Sequence, residues 1–464
     1  MLFISNLKKF VVLAILTASI FACSDDDDGN INTINTEFTI AALAASDSEL
    51  SDFITALQAT DLLDSINSTI EYTVLAPTNA AFENFLASND DYNDIADVPK
   101  EILTPLLLNH IIDGGMVASQ FTDTGYERTI ATFEDDVDDD KANNPRISIY
   151  YDANNGLVFN NSATVVTADI EASNGVMHKV DNIMPLPTIT STITIDPNLS
   201  RLREALETAD LLETVENFEK VTVLGPTNEA FEAAAEITGE ELANLLKNHL
   251  VSTPLTSVAL TEEGSNYINT LSPASTETDD FLSLYYNTTE GVIFNGISTV
   301  VIPDIVTTNG IIHVVDAVIN LPLITDFIGA DPSFSQLLTA LSTSTPDTDF
   351  VGILSRTSTD NSDGINAPFT VFAPINTAFM DFGDLPDADT LTGVLQTHVV
   401  SGMVLRSTQF TNGTITSLNG ELTINAQDST VKGVGNEEGI LIATKDIRAI
   451  NGVIHGINAV LLSE

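Results

Sequence analysis

Apolar residues along this chain follow two rhythms, and the pair of rhythms occurs three times. The first has helical spacing. Leu103, Leu106 and Leu107 precede His110 by seven, four and three residues; Leu242, Leu245 and Leu246 precede His249 in the same way, and Leu391, Val394 and Leu395 precede His398. An i, i+3, i+4, i+7 pattern predicts an amphipathic helix with each histidine on its buried stripe. The second rhythm is the two-residue period of a strand. After Asn174-Gly175 it places Val176, His178 and Val180 on one face, and after Asn309-Gly310 it does the same for Ile311, His313 and Val315. Asn451-Gly452 introduces His455 in the third copy, and Asn-Gly supplies the positive φ of a tight hairpin.

A further block ties the copies together. Tyr72 to Phe82, Val221 to Phe231 and Phe369 to Phe379 align residue for residue, with Pro77, Pro226 and Pro374 lying 149 and 148 residues apart. A period of that length means whole domains in series and not a solenoid. Each block opens as a β-branched strand, proline ends its ladder, and a Thr/Asn pair is placed to cap a short helix carrying the phenylalanine. In each copy helices come first and strands follow, which predicts an α+β fold.

These blocks resemble the fasciclin-like domain. The strand–Pro–Thr–Asn–x–Ala–Phe segment, the helix ending in Asn-His, and the Asn-Gly-x-x-His-x-Val-Asp close match that family's recurrent blocks in order and spacing over residues 36–464. Gly225 and Ile375 depart from the first block. In the third copy Gln396-Thr397 precedes the histidine, and the close reads Gly456-Ile457-Asn458. The resemblance implies three tandem domains at 36–188, 189–324 and 325–464, each a β-sandwich or wedge with flanking helices. It also implies adhesion or matrix interaction without catalysis. Pro185 to Thr192 reads as the first joint. The second, Leu321 to Asp326, is short enough to favour packing of the flanking copies.

The N-terminus carries a separate signal. Lys8 and Lys9 precede an apolar stretch from Phe10 to Ala22, too short to span a bilayer and suited to an export signal over residues 1–22. Ile20-Phe21-Ala22-Cys23 resembles a bacterial lipobox, in which the cysteine is acylated and becomes the mature N-terminus. Cys23 is the only cysteine, so no intramolecular disulfide can form. Ser24 and Asp25 to Asp28 follow, within an acidic tether at 23–35 that is similar to a surface-export signal of one branch of Gram-negative bacteria. The expectation is an outer-membrane lipoprotein displayed on the cell surface and held in the membrane by a lipid on Cys23.

Composition narrows the partners. The chain has 66 acidic and 16 basic residues, a formal charge of −50, so its surface repels nucleic acid, whose binding relies on Lys and Arg pairing with phosphates. Weak divalent-cation binding stays open, notably by the run from Glu134 to Asp140, although that run lacks the turn glycine and terminal glutamate of an EF-hand. The partner expected is a cell-surface or matrix protein or a glycan. A second reading is a carbohydrate-binding accessory lipoprotein of an outer-membrane glycan uptake system. Absence of tryptophan counts against it, though Tyr150-Tyr151 and Tyr285-Tyr286 could serve as small stacking faces.

Catalytic patterns are missing: there is no Gly-x-Ser-x-Gly elbow, phosphate-cradling glycine loop or cysteine nucleophile beyond Cys23. No cofactor or metal is expected. His110, His178, His249, His313, His398 and His455 fall two per copy with no partner at i+4, so they are read as buried, backbone-bonded architecture and not as zinc ligands. The candidate adhesion contacts are Asp169-Ile170, Asp304-Ile305 and Asp446-Ile447, each five residues before an Asn-Gly. Around Asp304 the sequence is similar to an Asp-Ile segment linked to adhesion in animal fasciclin-like domains. There, an exposed carboxylate beside an apolar anchor would meet a receptor-bound cation or a partner's arginine.

Overall fold

Each copy begins with a hydroxyl or a carboxylate meeting the free amides of a short helix. The Thr39 side chain accepts from the Ala42 amide to start Ile40–Ser46, and Thr188 accepts from Ser191 to start Ile189–Ile195. In the third copy, Asp326 reaches back to the Leu323 amide ahead of Ile324–Ala330. The computed structural model describes residues 38–133, 144–235, 237–275 and 280–463. Cys23, the leader and tether at 1–35, and the run from Glu134 to Asp140 lie outside the described residues.

The aligned blocks form the centre of each sheet. Tyr72–Pro77, Val221–Pro226 and Phe369–Pro374 are almost wholly buried. Each of these core strands lies between a short antiparallel strand and a parallel one that carries the second histidine: Gly175–Val180, Gly310–Val315 or Gly452–Ile457. Register is identical in the three copies, pairing the strand's first residue with the glycine and its proline with the last strand residue. The first copy closes its seven strands into a barrel, and the other two form open seven-stranded mixed sheets. The architecture is α+β, as the sequence predicts.

Alternation along the core strand divides each interior in two. In the first copy Val74 and Ala76 face Phe53, Leu57, Phe82, Leu103 and Leu107 from the helices, while Leu75 faces Ile112, Phe121, Ile149 and Phe159 from the strands. Burying one such Leu or Phe contributes roughly 1.5–3 kcal/mol. After the core strand, Thr78 and Thr227 cap the next helices by accepting from Ala81 and Ala230. Ile375 makes no such bond. Asn79, Asn228 and Asn376 meanwhile tie that helix to the second helix of each copy, Ser51–Ala59, Ser200–Thr208 or Ser335–Thr339, accepting from the amides of Asp52, Arg201 and Gln336.

Candidate functional site

The six histidines form two repeated sets. His110, His249 and His398 close the helices Lys100–Leu108, Gly239–Lys247 and Ala388–Thr397. Each ring's Nδ1 donates to the carbonyl four residues earlier, on Leu106, Leu245 or Val394, at 2.7–2.9 Å. Nε2 accepts from the amide of Met184, Ile319 or Leu461, at 2.9–3.0 Å. A ring that donates at one nitrogen and accepts at the other is neutral, and its tautomer is set. Burial pushes all three down to about 4 from the ordinary histidine value.

The second set carries the opposite tautomer. In His178, His313 and His455, Nδ1 accepts the backbone amide of Asp169, Asp304 or Asp446 at 3.1–3.3 Å. Nε2 donates to the carbonyl of Met116, Leu255 or Leu405 at 2.7–2.9 Å. Burial lowers these rings as well. Every imidazole therefore has both nitrogens committed to backbone. Among the described residues no group of three or more His, Cys, Asp or Glu is arranged to hold a metal.

The Asp-Ile pairs sit beside this second set, in the long strands Ala163–Ala172, Ser298–Thr307 and Ile440–Ala449. Each Asp occupies a bulge in the left-handed region, with φ of 58°, 58° and 60°. Its carboxylate turns back to pin the following loop, accepting at 2.7 Å from the amide of Ala118, Ser257 or Ser407. Asp304 and Asp446 also take the hydroxyls of Ser257 and Ser407. Ile305 and Ile447 are each 1% exposed, and Ile170 packs against the helix-side core. Of the expected exposed carboxylates, Asp169 is 46% exposed, Asp446 is half-buried and Asp304 is buried, and each is already hydrogen-bonded to a loop. The bulge puts the Asp amide on a histidine and the Asp carboxylate on a loop, and the isoleucine becomes core. The positive φ at aspartate is the feature sequence reading missed, since an Asp-Ile pair looks the same in a bulge and in a plain strand.

The Asn-Gly pairs do more than turn the chain. Asn174, Asn309 and Asn451 accept from the amides of Ile40, Ile189 and Ile324, which begin the first helix of each copy. Their amide nitrogens donate to carbonyls near the end of another helix, at Ile66 and Ser68, at Val215 and Glu216, and at Leu354 and Arg356. One side chain thereby joins the start of the copy to its closing strand.

A fasciclin domain model matches three stretches, 48–187, 197–322 and 332–463. The chain belongs to the fasciclin domain family. It is similar to the transforming growth factor-beta-induced protein ig-h3 of Sus scrofa, with 27% identity over 89% of this chain and 56% of that protein. It is similar to human periostin, with 31% identity over 53% of this chain and 28% of that protein. The chain therefore spans about half or less of these relatives' lengths. A solved fasciclin domain pair from the insect cell adhesion molecule Fasciclin I aligns with 61% of this chain and 99% of its own, at 21% identity and a TM-score of 0.38.

Successive fasciclin domains meet through one repeated joint. Tyr126 of the first domain donates to Asp196 of the second at 2.8 Å, and Tyr267 of the second donates to Asp331 of the third at 2.9 Å. Ser148 Oγ accepts the Val306 amide at 3.0 Å, and Ser283 Oγ accepts the Arg448 amide at 2.9 Å. Tyr126 packs on the second domain's core, and Tyr267 with Tyr285 packs on the third's. Tyr150, Tyr285 and Tyr286 are buried, and Tyr151 lies edge-on to Phe121, so the expected stacking faces are interior contacts. The second joint adds a buried pair: Arg448 holds Asp280 through Nε and Nη2, both at 2.8 Å. Burial alone would raise Asp280, but the bonds from Arg448 outweigh it and hold the carboxyl below its ordinary range.

Proposed function

We propose that this chain is an adhesion or interaction protein of the cell envelope, non-catalytic and attached to the outer membrane by a lipid on Cys23. Its three fasciclin domains are displayed outward and engage a surface or matrix protein or a glycan. The observation that carries this reading is the threefold family match, because the resemblance to fasciclin-like domains implies adhesion and extracellular interaction. Two features of the structure support it. All six histidines are used up in backbone bonds, leaving them poor general bases. The joints fix three modules in series, so weak contacts by individual domains add through multivalency. Among the described residues no helix is long and apolar enough to cross a membrane; a lipid on Cys23 would supply the attachment in this reading.

The test is made in cells that produce the chain. Radiolabelled palmitate is expected on the wild type and not on Cys23→Ala. Protease applied to intact cells should remove the wild-type protein, and deletion of the gene should lower attachment to cells or matrix. Attachment unchanged by the deletion would sink the adhesion reading. Palmitate retained by Cys23→Ala, or full protection from protease, would sink the anchoring and display.

A further inference from the structure

The two joints use the same positions of the fold, and sheet register shows what occupies those positions on the outer faces of the first and third domains. On the trailing side, Tyr151 pairs with Phe159 and that with Ala163; Tyr286 pairs with Phe294 and that with Ser298; Ile424 pairs with Val431 and that with Ile440. Thr423 therefore stands where Tyr150 and Tyr285 stand, and Glu421 where Ser148 and Ser283 stand. Across the hairpin, Thr414 pairs with Thr423 as Tyr126 pairs with Tyr150 and Tyr267 with Tyr285. The third domain thus lacks both tyrosines and the serine, and Thr414, Glu421 and Thr423 are all exposed.

The leading face of the first domain is altered too. Asp47 caps the turn Ser48–Leu50 as Asp196 and Asp331 cap theirs, but Asp47 is taken by Lys179, which also bonds Glu49 at 2.8 Å. The counterparts of Lys179 in the other domains are Val314 and Gly456. Where Val306 and Arg448 receive the preceding domain's serine, the first domain has Glu171.

A head-to-tail contact has no intrinsic stop, and one that fails to close into a ring continues into filaments. We propose that these replacements are end blocks, which confine the domain-stacking contact to the two internal joints and keep the outer faces of the first and third domains from stacking on another copy of the chain. A second chain docking on the first in the geometry of the internal joints would bring Glu421 against Glu171. It would present no phenol to Asp47, whose charge Lys179 already satisfies. Like charges set face to face in this way select against a wrong partner, here another copy of the same chain. Terminal repeats of other arrays carry polar outer faces to the same end.

Sedimentation velocity on the purified chain, with Cys23→Ala in every arm to keep lipid off, tests this. The parent should sediment as one species at all concentrations. The combination Glu171→Val, Thr414→Tyr, Glu421→Ser and Thr423→Tyr should show a sedimentation coefficient that rises with concentration, at an unchanged melting temperature. The single exposed change Glu421→Lys gives an independent reading should the combination melt early. It should produce association at low ionic strength that is lost by about 0.5 M salt, where charges are screened beyond a few ångströms. A parent that already associates end to end overturns the proposal. So does a normally folded four-residue variant that stays a single species, or, with that variant unfolded, a Glu421→Lys protein that never associates.

Discussion

At the scale of the residue, the fold depends on rings that must stay uncharged. His110, His249 and His398 sit near 4 in the native protein against about 6.5 for an exposed histidine. Above pH 6.5 neither state binds the proton, and the neutral ring's contribution is fully present. As pH falls toward 4 the unfolded chain takes up the proton and the native one does not, so stability is lost across that window. The loss is about 2 kcal/mol per ring at pH 5 and levels off at about 3 below pH 4. Urea midpoints should therefore drop between pH 7 and pH 5. In His249→Ala the second domain should be weaker at pH 7 by about 2–4 kcal/mol, because Leu245 O and Ile319 N lose their partner. It should also show a flatter pH slope. An unaltered midpoint and slope would remove the histidines from the stability of the fold. Their buried placement was legible from leucine spacing alone. What lies on each nitrogen was not, because the amides of Met184, Ile319 and Leu461 arrive from a distant part of the chain.

At the scale of the element, local chemistry reads well in the sequence and long-range pairing does not. Tyr72 to Phe82 announces a strand, a stop and a cap, and Thr78 caps as expected. In the third copy Ile375 has no hydroxyl, and its helix has no side-chain cap. The parallel pairing of Tyr72–Pro77 with Gly175–Val180 leaves no trace in either segment's period, since both are simply buried strands. The glycine of Asn-Gly illustrates the difference. Sequence marks it as a turn residue, but its stronger constraint is contact: a Cβ on Gly310 would lie 2.1 Å from Val221 O, and one on Gly452 2.1 Å from Phe369 O. Gly310→Ala is accordingly expected to push the core strand and histidine strand apart, at a cost of about 3 kcal/mol or more. Thr227→Ala, which removes only a cap, should cost about 1 kcal/mol. Thermal melts of the two variants check the ordering, and equal effects would mean the close approach is relieved by a small shift of the sheet.

At the scale of the whole molecule, the three domains act as one body only if the joints hold, and the second joint has the stronger clasp. The tyrosine doublets were readable as pairs, but their burial depends on which domain lies against them, and no single copy's pattern contains that information. Asp280 shows what the contact does. It is 5% exposed, bonded twice by Arg448 and approached by Arg406 at 3.8 Å, beside a cleft of about 350 Å³ that includes Gln409 and Asn451. A buried pair contributes little compared with apolar packing, yet removing one partner strands the other, typically at about 3–5 kcal/mol. Asp280→Asn leaves the buried Arg448 charge without its counter-ion across the interface, so the second and third domains should separate without either unfolding. Small-angle scattering at pH 7 should then report a larger radius of gyration, and the melt should split where the wild type shows coupled domains. Because the native carboxyl is held below its ordinary range, the clasp is present above the unfolded aspartate value near 3.8 and weakens as pH falls below it. The same expansion should therefore appear in the wild type only at strongly acidic pH. Ser148→Ala at the first joint, which removes only two neutral hydrogen bonds, from the Val306 amide and to the Asp304 carbonyl, should leave the scattering curve nearly unchanged. If Asp280→Asn scattered identically to the wild type at pH 7, the tyrosine contacts and the Ser283 bond would be enough to hold the second joint without the ion pair.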